Sequence, residues 1–77
     1  MWEDELVSLK GQLSANIKAL RKSKGIAQER LGLEAGVDRT LISKIEREIA
    51  NPSLEILCKV AALLEVTVPE LLTRPKK

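Results

Sequence analysis

A chain of 77 residues with 44% apolar residues and a net charge of +2 has room for one domain around one core. Trp2 is its only aromatic, so that core must be built from Leu, Ile, Val and Ala, a composition that suits helices. Without His and with a single Cys, the chain can build no Ser-His or Cys-His nucleophile pair, no His-ligated or multi-thiolate metal site and no intramolecular disulfide. No catalytic residue, metal or other cofactor is therefore expected, and Cys58 reads as a small core residue. No apolar run approaches the roughly 18 residues of a membrane span, and the acidic start, Glu3-Asp4-Glu5, has the wrong charge for a secretory signal. A cytoplasmic protein with no membrane partner and no evident small-molecule ligand is expected. The charge is unevenly spread: from Leu6 to Gln28 there is no acid, while Lys10, Lys18, Arg21, Lys22 and Lys24 accumulate.

Five helices are predicted in chain order. Leu13, Ile17 and Leu20 repeat at i, i+4, i+7, and a basic last turn before Gly25 ends the first helix, about Leu13 to Ser23. Leu6 and Leu9 either extend that face upstream or belong to a separate arm, residues 1–12, set off by Gly11. The second helix runs from about Gln28 to Ala35, with Leu31 and Ala35 inward and Gly36 at its end. Asp38 caps the third, Arg39 to Arg47. Asn51-Pro52-Ser53 is a loop and a start signal for the fourth, Leu54 to Leu64, with Leu54, Leu57, Cys58, Ala61 and Leu64 at helical spacing. Thr67-Val68-Pro69-Glu70 is a capping box that opens the fifth at Leu71-Leu72. Residues 74–77 form a basic tail.

Gln28 to Arg47 is the informative segment. Gly36-Val37-Asp38 is a three-residue turn, so tight that the helices on either side must cross steeply, and Gly32 and Ala35 supply the small side chains such a crossing needs. Val37, Ile42 and Ile45 are expected to lock the third helix onto the first and fourth. At about 100° per residue, Leu41, Ile42 and Ile45 share one arc about 100° wide. Arg39, Thr40, Ser43, Lys44 and Arg47 share most of the rest, with no acid among them. Glu46 falls between Arg39 and the apolar arc and is expected to point sideways, off the acid-free face. A charged helix face is ordinarily just solvated surface. The acid-free combination also suits an anionic partner such as DNA.

The chain resembles the lambda-repressor-like, Xre/Cro-type helix-turn-helix family of DNA-binding regulators. The resemblance covers about Leu13 to Leu72. It is carried by Ile17-Lys18-Ala19-Leu20-Arg21, Lys24-Gly25-Ile26-Ala27-Gln28-Glu29, Ala35-Gly36-Val37-Asp38-Arg39-Thr40, Ile42-Ser43-Lys44-Ile45-Glu46-Arg47 and Asn51-Pro52-Ser53-Leu54-Glu55. It implies an all-α, five-helix domain with its helix-turn-helix at helices two and three. It also implies a recognition helix in the major groove and dimers that read two half-sites about one helical turn apart. Gln28 matches the family's phosphate-contacting glutamine and Asn51 a loop residue that touches the backbone. In the family, the Glu matching Glu46 pairs with the Arg matching Arg21, and a partly buried Arg21–Glu46 ion pair is expected here. Ala27 departs from the pattern, standing where a Ser or Thr cap is usual, and Glu48-Ile49-Ala50 replaces a loop that often carries Gly and basic residues.

The reading is a sequence-specific, double-stranded-DNA-binding transcription regulator acting as a homodimer on a (pseudo)palindromic operator. Arg39 and Thr40 are assigned to base edges. Ser43 and Lys44 are placed to reach bases or phosphates, and Arg47 is divided between a phosphate contact and a surface ion pair. Val66, Val68, Leu71 and Leu72 are more aliphatic surface than a short terminal helix needs, so they are expected at the dimer interface. Short chains of this type resemble phage repressors, antitoxin-type autoregulators and restriction-modification controllers, the last through Asp38-Arg39-Thr40. The alternative is a protein-interaction module of the same fold without specific DNA binding, a reading to which Leu33, Ile49 and the thin net charge lend weight.

Overall fold

The computed structural model describes residues 1–74 as five helices, with no strand among them: α1 (Trp2–Lys24), α2 (Gln28–Ala35), α3 (Arg39–Glu46), α4 (Leu54–Leu64) and α5 (Val68–Leu72). The predicted tail lies outside the described residues beyond Arg74.

Helix α1 runs unbroken through Gly11, so residues 2–12 continue the helix and do not form a separate arm. Its polarity suits its dipole, with Glu3, Asp4 and Glu5 in the first turn and Arg21, Lys22 and Lys24 in the last. The starts of the later helices follow their side chains. Asp38 accepts from the Thr40 backbone N–H at 2.7 Å, Ser53 accepts from that of Ile56 at 3.2 Å, and Thr67 and Glu70 close a reciprocal capping box. Among these later helices α2 alone begins without such a bond, because Ala27 at its cap has no side-chain acceptor.

Helix α1 packs on α3 and α5, α2 packs on α3 and α4, and α4 packs on α5. The core is aliphatic, with Leu13 and Ile17 from α1, Leu31 from α2, Ile42 and Ile45 from α3, Leu57, Val60, Ala61 and Leu64 from α4, and Leu71 from α5. Val37, from the α2–α3 turn, is buried among them.

Four expectations need correcting. Helix α3 rests on α1 and α2, and α2 takes the place expected for α4. Cys58 is exposed, as is Leu54, while Val60 is wholly buried. The reason is angular: Leu57, Val60, Ala61 and Leu64 form one i, i+3, i+4, i+7 stripe, and Cys58 stands about 110° from its centre. Leu71, expected at an interface, is 0% exposed within a single chain, so its side chain belongs to the core. Glu46, expected to point sideways, is 3% exposed and turned inward, where it forms the expected ion pair with Arg21.

Candidate nucleic-acid interface

The site is built on the α2–α3 turn. Gly36 ends α2 at φ 71°, a left-handed conformation that glycine takes without a side-chain clash, and its neighbour Val37 donates a backbone hydrogen bond to Gly32 O at 2.8 Å. At Gly32 a Cβ would lie 2.5 Å from the Val37 carbonyl oxygen, so only glycine lets the turn close onto α2 at this distance. Asp38 then starts α3.

Burying Ile42 and Ile45 against α1 and α2 fixes the rotation of α3. Arg39, Thr40, Lys44 and Arg47 are exposed and Ser43 half-buried, so the five residues expected on one outward face are on it. Among the described residues no ion pair engages Arg39, Lys44 or Arg47. Their charges are therefore available to a partner, in contrast to Arg30, which is paired with Glu34, and Lys24, paired with Glu65.

Beneath this face Glu46 joins three helices. Arg21 Nε donates to Glu46 Oε2 at 2.9 Å and Arg21 Nη2 to Oε1 at 3.1 Å, a two-pronged pairing of guanidinium and carboxylate. Gln28 Nε2 donates to Oε1 at 2.9 Å. Burial opposes ionisation of this carboxyl, but the hydrogen bonds from Arg21 and Gln28 and the charges of Arg21 and Lys18 outweigh it. Glu46 is thus held below the usual carboxylate range, and the Arg21 guanidinium is raised, chiefly by its bond to Glu46. Ser14 Oγ donates to the Glu46 backbone carbonyl at 2.6 Å. Arg21 also donates to Ile26 O at 3.0 Å, which ties the α1–α2 link to the same cluster.

Gln28 thus has one amide hydrogen engaged by Glu46, and only its second remains to reach a phosphate. The uncapped N–H groups in the first turn of α2 lie beside it. Asn51 is exposed in the loop before α4.

Two contributors escaped sequence reasoning. Ser14 is buried, and Asn16 Nδ2 donates to Leu71 O at 2.7 Å and Thr73 O at 2.8 Å, capping the end of α5. Both flank the Leu13-Ile17-Leu20 stripe, Ser14 on the side of Arg21 and Asn16 on the other. A polar residue bordering a core stripe was the available signal. A third is Glu48, at φ 65°, whose left-handed backbone ends α3 where glycine is usual.

The helix-turn-helix fold agrees with the comparisons to known proteins. The helix-turn-helix family model matches residues 17–71, and the chain belongs to that family, one of transcriptional regulators and not of enzymes. The crystal structure of a hypothetical transcription factor from Neisseria is similar at TM-score 0.83 and 39% identity, over 87% of this chain and 77% of that one. The N-terminal DNA-binding domain of SinR from Bacillus subtilis is similar at TM-score 0.80 and 38% identity, over 87% and 99%. The restriction-modification controller protein C.AhdI from Aeromonas hydrophila is similar at TM-score 0.76 and 32% identity, over 80% and 94%. The chain spans about a third to two thirds of the length of the first curated relatives it matches. Among the described residues no helix is long and apolar enough to cross a membrane.

Proposed function

We propose that the chain binds double-stranded DNA in a sequence-specific manner, as a homodimer on a (pseudo)palindromic operator, and regulates transcription there. In this reading α3 enters the major groove. Arg39, near its amino terminus, grips a guanine through the two acceptors on the major-groove edge, and Thr40 offers a hydroxyl and a methyl to a neighbouring base. Ser43 and Lys44, a turn further on, meet bases or phosphates. Arg47, Gln28 with the first turn of α2, and Asn51 hold the backbone. The observation that carries the reading is the outward face of α3, which is basic, free of acid and unpaired among the described residues.

The homodimer reading draws on the half-buried aliphatic side chains Val66, Val68 and Leu72 around α5, with Leu71 beneath them as core. The likeness to C.AhdI supports a restriction-modification controller as the subclass, together with the Asp38-Arg39-Thr40 start of α3. Leu33, 79% exposed, favours a second reading in which this surface meets another protein.

Titration of a labelled duplex pool at rising salt separates the two. Phosphate contacts release counterions, so a protein making about six of them loses on the order of a thousandfold in affinity between 50 and 200 mM salt. A flat response, or no binding at low salt, would favour the protein-interaction module.

A further inference from the structure

The first half of α1 carries apolar surface that its own chain does not bury. Leu13 is the first buried residue of the helix, yet Trp2, Leu6 and Leu9 precede it. Trp2 is 67% exposed, and Leu6 and Leu9 are half-buried on one wall of an open apolar groove whose opposite wall is Pro52, Leu57 and Leu72. Trp2, Leu6, Leu9 and Leu13 are spaced 4, 3 and 4 apart. At about 100° per residue all four fall within an arc of about 60°, the narrow seam of a two-helix coiled coil.

We propose that this seam receives the same segment of a second copy of the chain, the two α1 helices running antiparallel across a two-fold axis. The proposal rests on the homodimer reading above and gives that dimer a surface. The register follows from the spacing. With the axis between residues 7 and 8, Leu6 of each copy meets Leu9 of the other, and Trp2 lies over the other's groove edge, above the buried Leu13. Leu72 lies on the groove's far wall, so the surface is continuous with one of the side chains assigned to the dimer from sequence.

Charge complementarity chooses the occupant and its direction. Glu3 and Lys10 flank the seam on the same side, and an antiparallel two-fold pair sets same-side positions against each other, so each Glu3 faces the other copy's Lys10 twice over. The other flank sets Glu5 against Gln12, without like-charge conflict. A parallel pair would instead bring together the two acidic first turns, Glu3, Asp4 and Glu5, and align two helix dipoles.

The test is sedimentation of the full chain at low salt with charge reversal at the paired positions. Wild type should be dimeric at tens of micromolar. Glu3→Lys and Lys10→Glu should each weaken the dimer by about tenfold, and the double variant should restore it, since both substitutions lie on exposed or half-buried helix surface. Leu6→Glu should give monomers that keep the wild-type helical circular dichroism. A monomeric wild type at 100 micromolar would overturn the seam, whatever happens on DNA. A dimer indifferent to Glu3, Lys10 and Leu6 changes, but split by Val66→Glu or Val68→Glu, would also overturn it while leaving the homodimer reading intact.

Discussion

Replacing Glu46 by Gln keeps the size of the side chain but removes the charge that Arg21 holds at 2.9 Å, and leaves the guanidinium beneath α3 without its charged partner. Loss of one member of a largely buried pair costs about 3 kcal/mol, because the survivor stays desolvated. The pH dependence has a definite sign. The folded-state pKa of Glu46 lies below the ordinary value of 4.5, so its contribution is fully present above that value and is lost as pH falls through the folded one. Thermal melts from about pH 7 to pH 3 should show wild type losing stability below about pH 4.5, with Glu46→Gln losing less over the same span. Parallel acid limbs in the two proteins would show that the carboxylate is not what the fold depends on there. Arg39 is the residue whose loss should alter selectivity. Arg39→Ala should cost about 1 to 3 kcal/mol on the preferred site and relax the preference at one base pair per half-site, whereas Gln28→Ala should weaken all sequences alike. Binding of both variants to the site and its single-base changes measures this. An equal loss on every sequence would make Arg39 a backbone contact.

At the scale of elements, the two ends of α2 predict opposite outcomes for two small substitutions. Gly32→Ala places a methyl 2.5 Å from the Val37 carbonyl, with backbone on both sides of the contact and no flexible side chain to yield. It should destabilise by about 1 to 3 kcal/mol despite the better helix propensity of Ala. Ala27→Ser supplies the acceptor that α2 lacks and should stabilise by about 1 kcal/mol, which for a domain of this size raises Tm by about 4 to 8 °C. Urea titration of both variants gives the two signs directly. Leu71→Glu, buried as that side chain is, should unfold the chain instead of giving a folded monomer. The same elements show where the sequence could be read. Helices α2 and α4 begin and end at the predicted residues, with Gly36 marking the end of α2 and Ser53 the start of α4. The inward face of α4 was misjudged because LEILCKVAALL is apolar nearly all round, with only Glu55 and Lys59 to break it, so periodicity could not choose between neighbouring arcs. The continuity of α1 was open because Gly11 breaks helices by propensity. In the structure α1 continues through it, and the Glu48 carboxylate lies 3.3 Å from where a Gly11 Cβ would stand.

Over the whole molecule, the proposed DNA binding rests on where charge is exposed, since a total of +2 is too little to hold DNA by net attraction alone. The fold neutralises Arg21 with Glu46, Arg30 with Glu34 and Lys24 with Glu65, while Arg39, Lys44 and Arg47 remain unpaired among the described residues on one face. That sorting could not be read from composition, because it depends on which acids the helices bring beside which bases. Its consequence is a protein expected to discriminate between sequences rather than to coat DNA. Selection of bound duplexes from a random pool, at physiological salt, tests this most directly. The account predicts enrichment of two inverted half-sites whose centres lie about one helical turn, roughly 34 Å, apart, with a guanine in each whose preference disappears in the Arg39→Ala protein. A bound pool that keeps the base composition of the input, or an enriched site that Arg39→Ala selects unchanged, would contradict it.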